Sequence, residues 1–168
     1  YNYCPTVIML NNLFPNVRPR RLRKNKIIRD LVSETKLLKS KLIQPLFDSE
    51  SIVEKQPLES MQGQFLFSKD ETFKEIDELL NLGIKTLALF PNISESLKDE
   101  NGTNALDEKN FMCKLVSDIK KRYPELVLIT DVALDPYTTS GHDGIIKNGV
   151  VDNDLTLEAL KLMLSLIH

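Results

Sequence analysis

Cysteine is scarce, with Cys4 and Cys113 the only two in 168 residues. So distant a pair excludes a disulfide-built scaffold, and Cys113 falls within an amphipathic pattern, which reads as a reduced core thiol in a reducing compartment. An excess of one charge is also missing. The 22 basic and 24 acidic residues nearly balance, which excludes a protein whose whole surface serves polyanions; any such role is local. No run approaches the roughly 18 apolar residues that would span a bilayer, and Val7 to Leu10 is too short for a signal-peptide core. The expectation is a soluble protein with no membrane partner. A Gly-rich phosphate cradle of the P-loop type is absent as well.

What remains is enough for one domain, since chains of about 150 residues bury roughly 70% of their unfolded surface. The chain begins on Tyr1 rather than methionine, and Leu164, Leu166 and Ile167 run on without a glycine or proline to stop a helix. It therefore reads as a piece processed or cut at its ends. Residues 1–40 are irregular and carry a basic cluster, which reads as an extended arm. Residues 41–168 repeat one pattern three times. Strand Leu42 to Phe47 precedes a helix from about Asp70 to Leu82, strand Ile84 to Phe90 one from about Asp107 to Arg122, and strand Leu126 to Asp131 one from Asn153. Strand starts about 42 residues apart suit βα units with decorated loops.

Local signals support the helices. Ser68 and Glu71 form a potential reciprocal capping box, Gly83 closes the first helix, Pro124 stops the second, and Asn153 or Asp154 can cap the third. Phe73, Ile76 and Leu80, and again Phe111, Leu115 and Ile119, recur at helical spacing and should face the sheet. Near-continuously apolar strands separated by helices belong to a parallel sheet, which excludes a sandwich. Periodicity alone leaves open a doubly wound sheet or an eight-unit barrel.

The stretch Asp131 to Gly144, DVALDPYTTSGHDG, carries the chemistry. It leaves the apolar strand LVLIT and precedes a helix only some twenty residues later, where two to six would connect them; such loops are usually functional or disordered, and this one reads as functional. One loop aspartate alone is more often structural. Three of them, Asp131, Asp135 and Asp143, around one strand end can bind a hard cation or a substrate ammonium. His142 suits either a hydrogen bond to a loop carbonyl or a proton shuttle. Tyr137, Thr138 and Thr139 are expected to hold the loop's shape.

This loop resembles the signature of the 5-aminolevulinate dehydratase (porphobilinogen synthase) family. The resemblance extends in order through RPRRLRKNKIIRDLVSET (Arg18 to Thr35), LIQPLF (Leu42 to Phe47), SMQG (Ser60 to Gly63), GIKTLALFP (Gly83 to Pro91), KDENGTNAL (Lys98 to Leu106) and NDLTLEAL (Asn153 to Leu160). Gln62, Leu106 and Ser140 depart from the family pattern. The resemblance implies an α/β fold, the N-terminal part of a (β/α)8 TIM barrel of about three units behind an N-terminal arm. Its loops would open at the carboxyl ends of the strands, where such barrels hold their sites. Three units could not close that barrel and would expose an apolar strand edge and inner face.

The resemblance also implies a reaction, the condensation of two 5-aminolevulinate molecules to porphobilinogen through Schiff-base lysines. In the family those lysines lie on later strands, beyond His168, so this chain alone is expected to be inactive, and Lys85 and Lys147 do not match them. Some family members place three cysteines for zinc at the positions of Ala133, Asp135 and Asp143. Here the set is alanine and two aspartates, which suits magnesium rather than zinc and implies the aspartate-type subgroup, with Asp135 and Asp143 as metal-binding candidates. The compartment implied is the cytoplasm or a plastid-like organelle.

Arg18, Arg20, Arg21, Arg23, Lys24 and Lys26 put six positive charges in nine residues. Such a cluster can attract nucleic acid or meet carboxylates of a neighbouring subunit. The resemblance favours the second, an arm that builds a homo-oligomer, an octamer in the family's manner, with nucleic acid the less favoured partner. Two rival functions are a non-catalytic assembly or nucleic-acid-binding module, and a magnesium-dependent phosphatase. The latter needs aspartates two apart, whereas Asp131 and Asp135 are four apart.

Overall fold

The structure is a computed structural model and describes residues 20–167. The chain divides into two compact units, Tyr1–Leu37 and Leu38–His168, where the pattern of the sequence places the change at residues 40 and 41. Described residues of the first unit form a 3-10 turn, Arg21–Arg23, and a short helix α1, Lys26–Leu31, capped by Asn25, whose side chain accepts from Ile28 N at 2.9 Å. Arg20, Arg21 and Arg23 are exposed. Arg18 lies outside the described residues, as does Cys4.

In the second unit the expected strands appear slightly displaced: β1 at Gln44–Asp48, β4 at Thr86–Pro91 and β5 at Val127–Thr130. Two more were not foreseen. β2 (Gln56–Pro57) and β3 (Phe65–Phe67) form a hairpin after β1, and β3 then pairs in parallel with the carboxyl end of β1, Phe47 opposite Leu66. The sheet order is β2-β3-β1-β4-β5, parallel except for β2. Such two- and three-residue strands leave no alternation to read in a sequence.

Helix α2 (Lys69–Leu82) starts on Ser68, whose hydroxyl accepts from Glu71 N, and ends at Gly83, whose φ of +85° is the left-handed closure that lets Ile84 N reach Leu79 O. The reciprocal half of the capping box is not made, because the Glu71 carboxylate pairs with Lys74 instead. Helix α3 (Phe111–Arg122) begins four residues later than expected. Residues Thr103–Leu106 take a 3-10 turn, and Asn110 provides the cap through Cys113 N at 2.8 Å. Helix α4 (Asn153–Ile167) is capped neither by Asn153 nor by Asp154 but by Asp152, which accepts from Leu155 N at 3.1 Å. The Asp131–Asn153 connection also contains a hairpin, β6 (Ile146–Lys147) and β7 (Val150–Val151). Its turn residues Asn148 and Gly149 both have positive φ, as a tight two-residue hairpin turn demands.

Leu46, Leu87 and Leu89 of the sheet pack with Ile76 and Leu79 of α2 and Met112, Leu115 and Ile119 of α3, all buried. Phe73, Leu80 and Phe111 reach this core only in part. Each fully buried side chain of this size contributes about 1.5–3 kcal/mol against exposure, so this layer anchors the fold. The opposite face carries the alternate residues, and on β5 it is bare, with Val127 55% and Ile129 43% exposed.

Candidate active site

Alternation along the strands builds the site. Because neighbouring residues of a strand point to opposite faces, the register that buries Leu46 and Leu89 under the helices turns Phe47 and Phe90 to the bare face. There they pair across β1 and β4 and stack with ring centroids 5.5 Å apart. The last registered pair of β4 and β5 is Leu89 with Thr130, so Asp131 follows beside Phe90. Phe47, Phe90 and Asp131, with Ala133 and Asp135, line one cavity of about 190 Å³ at the carboxyl ends of the strands.

The loop is held by its own residues. Tyr137 and Thr138 are 1% exposed, and Tyr137 packs with Leu134, Ile93, Ala105 and Met163 in a second core. Burial pushes the Tyr137 phenol well above its ordinary range. Thr138 Oγ1 donates to His142 O at 2.9 Å, and Thr139 N donates to Asp99 O at 3.0 Å. Gly144 is a close approach, since a Cβ there would lie 2.7 Å from Val151 Cγ1.

Asp131, Asp135 and Asp143 are all exposed, on one loop. They interact, for the Asp135 carboxyl is raised above its ordinary range by partial burial first, and then by the negative charges of Asp143 and Asp131. Asp143 has a structural duty as well, because its Oδ1 accepts from Leu134 N at 2.7 Å and ties the two ends of the loop together. His142 is exposed, and its bonds to other described residues run through its backbone, from Thr138 Oγ1 and to Ser140 Oγ.

The donors are oxygens alone, as a hard cation prefers, and Ala133 offers no ligating atom. Among the described residues no group of three His, Cys, Asp or Glu side chains is gathered closely enough to hold an ion by protein ligands alone. Magnesium that keeps most of its waters needs one or two carboxylates, and the mutual repulsion at Asp135 is what a cation would relieve. Asp135 and Asp143 are the two loop side chains that could hold such a hydrated ion.

One carboxylate escaped the sequence reading. Asp48, the last residue of β1, is fully buried on the helix-covered face, where Thr72 Oγ1 of α2 donates to its Oδ1. Its Oδ2 is buried with no hydrogen-bond partner among the described residues, and desolvation pushes its pKa up to about 7. It belongs to the packing layer and not to the site. The parity of β1, had its end been placed at Asp48, could have found it.

The family model described as delta-aminolevulinic acid dehydratase matches residues 16–167. The dehydratase of Chlamydia pneumoniae is 44% identical over 145 residues, covering 86% of this chain and 44% of that protein. That of Ruminiclostridium josui is 41% identical over 144 residues, covering 86% of this chain and 69% of that protein, and the chloroplastic enzyme of Glycine max is 36% identical over 145 residues, covering 85% and 35%. The crystal structure of the Toxoplasma gondii enzyme in complex with the reaction product porphobilinogen superposes with a TM-score of 0.85 at 36% identity, over 89% of this chain and 43% of that one. The chain spans 44% of the length of the Chlamydia relative. Its parallel strands and covering helices are βα units of the (β/α)8 barrel of that enzyme, and the chain belongs to the delta-aminolevulinic acid dehydratase family.

Proposed function

We propose that the protein to which this chain belongs is a porphobilinogen synthase, a hydro-lyase that condenses two 5-aminolevulinate molecules, with loss of two waters, on the way to haem and other tetrapyrroles. The observation that carries this is the placement of Asp131 beside the Phe47–Phe90 stack, with Asp135 and Asp143 on the same loop. An apolar shelf beside carboxylates suits a short chain ending in an ammonium group. Asp131 would bind and orient that group, and Asp143 would keep the loop closed through Leu134 N. His142, exposed on the loop, is a candidate for moving a proton to or from solvent.

The reading includes magnesium and not zinc at Ala133, Asp135 and Asp143; the ion would neutralise the crowded carboxylates. It also includes Schiff-base lysines outside this chain. Lys85 lies before β4, at the amino end of the strand, Lys147 stands on an exposed hairpin, and Lys98 is held by Glu95 at 2.6 Å. None of these three is a desolvated amine beside the cavity, which supports a chain inactive alone. The arm, with Arg18, Arg20, Arg21 and Arg23, would join subunits into an octamer, and exposed Ile27 and Leu31 on α1 offer apolar surface for that contact. Bacterial and chloroplastic relatives support the cytoplasm or a plastid-like organelle. No described helix is long and apolar enough to cross a membrane.

The test is an assay of the full-length protein with 5-aminolevulinate, after chelation and readdition of either metal. Porphobilinogen restored by magnesium is the expected outcome. No product under either metal refutes the activity, and restoration by zinc alone refutes the metal assignment. Product formed by the 168-residue chain on its own refutes the assignment of the lysines.

A further inference from the structure

The segment after β4 lies outside the site described so far, yet it grips the site loop. Asp99 Oδ1 accepts from the backbone N–H groups of Asn101 at 2.9 Å and Thr103 at 3.0 Å. These bonds, that of Thr103 foremost, hold the Asp99 carboxyl below the ordinary carboxylate range. They close a turn in which Gly102 adopts φ +62°, a left-handed conformation that glycine takes without strain. Gly102 then lies flat against the loop, where a Cβ would stand 3.3 Å from Leu134 Cδ2 and 3.5 Å from Thr138 Cγ2. The Asp99 backbone completes the grip. Its N–H donates to Tyr137 O at 3.3 Å and its carbonyl accepts from Thr139 N at 3.0 Å, a parallel bridge centred on Thr138. Tyr137 to Thr139 is the stretch between Asp135 and His142.

We infer that Asp99 is a positioning residue for the Asp131–Gly144 loop, its side chain setting the turn through which its own backbone fixes the separation of Asp135 from His142 and Asp143. This rests on the reading of that loop as the substrate site and adds a residue that touches no reacting atom. A carboxylate that merely stabilised its own turn would leave the loop indifferent to its loss. The bridge to Tyr137 and Thr139 is what couples the two segments.

Amide hydrogen exchange on the full-length protein tests this. In Asp99→Ala, exchange at Thr139 and Leu134 is expected to quicken about tenfold or more, the scale of one or two lost hydrogen bonds, while Leu87 and Leu89 of β4 stay as protected as before. Asp99→Asn keeps an oxygen acceptor at the same distance and should restore exchange to within about threefold of the parent. Asp99→Glu keeps the charge but shifts the acceptor by one methylene; it should behave as the alanine variant and carries the test if that variant does not fold. Unchanged exchange at Thr139 and Leu134, equal acceleration in loop and β4, or a glutamate variant indistinguishable from the parent would each overturn the inference. No turnover is read, so an absence of porphobilinogen formation by the full-length protein sinks the activity and leaves the exchange result to judge Asp99.

Discussion

Asp48 and Asp131 each stand at the end of a parallel strand, yet one is sealed under a helix and the other stands open beside the site cavity. Their neighbours explain it. On β1 the parity that buries Leu46 also buries Asp48, whereas on β5 the parity that exposes Val127 and Ile129 carries Asp131 to the open face. A strand has a period of two, so a single residue of register decides which layer a side chain joins. The same residue type thus becomes an internal cost on one face and a ligand candidate on the other.

The contrast between the faces is broken most directly by truncation. Leu89→Ala, under the helices, is expected to cost about 3–5 kcal/mol, and Ile129→Ala, on the bare face, less than about 1 kcal/mol. Chemical denaturation of both variants decides it, and similar losses would mean the faces are not distinct.

The next effect depends on pH. An aspartate whose folded pKa is raised from 3.8 to about 7 binds more protons folded than unfolded in that interval, so its contribution to stability falls as pH rises from about 4 to about 7 and is level above. The full swing is on the order of 4 kcal/mol. Asp48→Val should remove this slope and be more stable than the parent at pH 8, with a much smaller gain at pH 4. Denaturation midpoints at the two pH values measure it, and a variant less stable at both would show that the Thr72 bond outweighs the burial.

Smaller again is Gly144→Ala, which meets Val151 and should cost about 1–3 kcal/mol, read as a lower melting temperature. Smallest for the fold is Asp131→Asn, within about 0.5 kcal/mol in stability. Made in the full-length protein, it is expected to lower porphobilinogen formation severely. Unchanged formation would remove Asp131 from the site.

Three βα units were legible because their helices carry apolar residues at 3.6 spacing and end on Gly83 or before Pro124. The aspartate-bearing segment was legible as a loop because turn residues and carboxylates cluster after LVLIT. The β2–β3 hairpin was not, since strands of two and three residues hold no period. Helix starts slipped, α3 from about Asp107 to its cap at Asn110 and the α4 cap from Asn153 to Asp152, because only the fold selects which side chain meets a free N–H. His142 was left between two roles, and it stands exposed on the loop.

By itself the sequence determined the family, the order of strands and helices, and the collection of aspartates in one loop, because periodicity and turn chemistry act over a few residues. Tertiary structure alone decided which aspartate faces which layer, that Phe47 and Phe90 stack beside Asp131, and that Asp99 bridges to Tyr137 and Thr139. These depend on register between strands and on contacts between segments some forty residues apart. No local pattern encodes such distances.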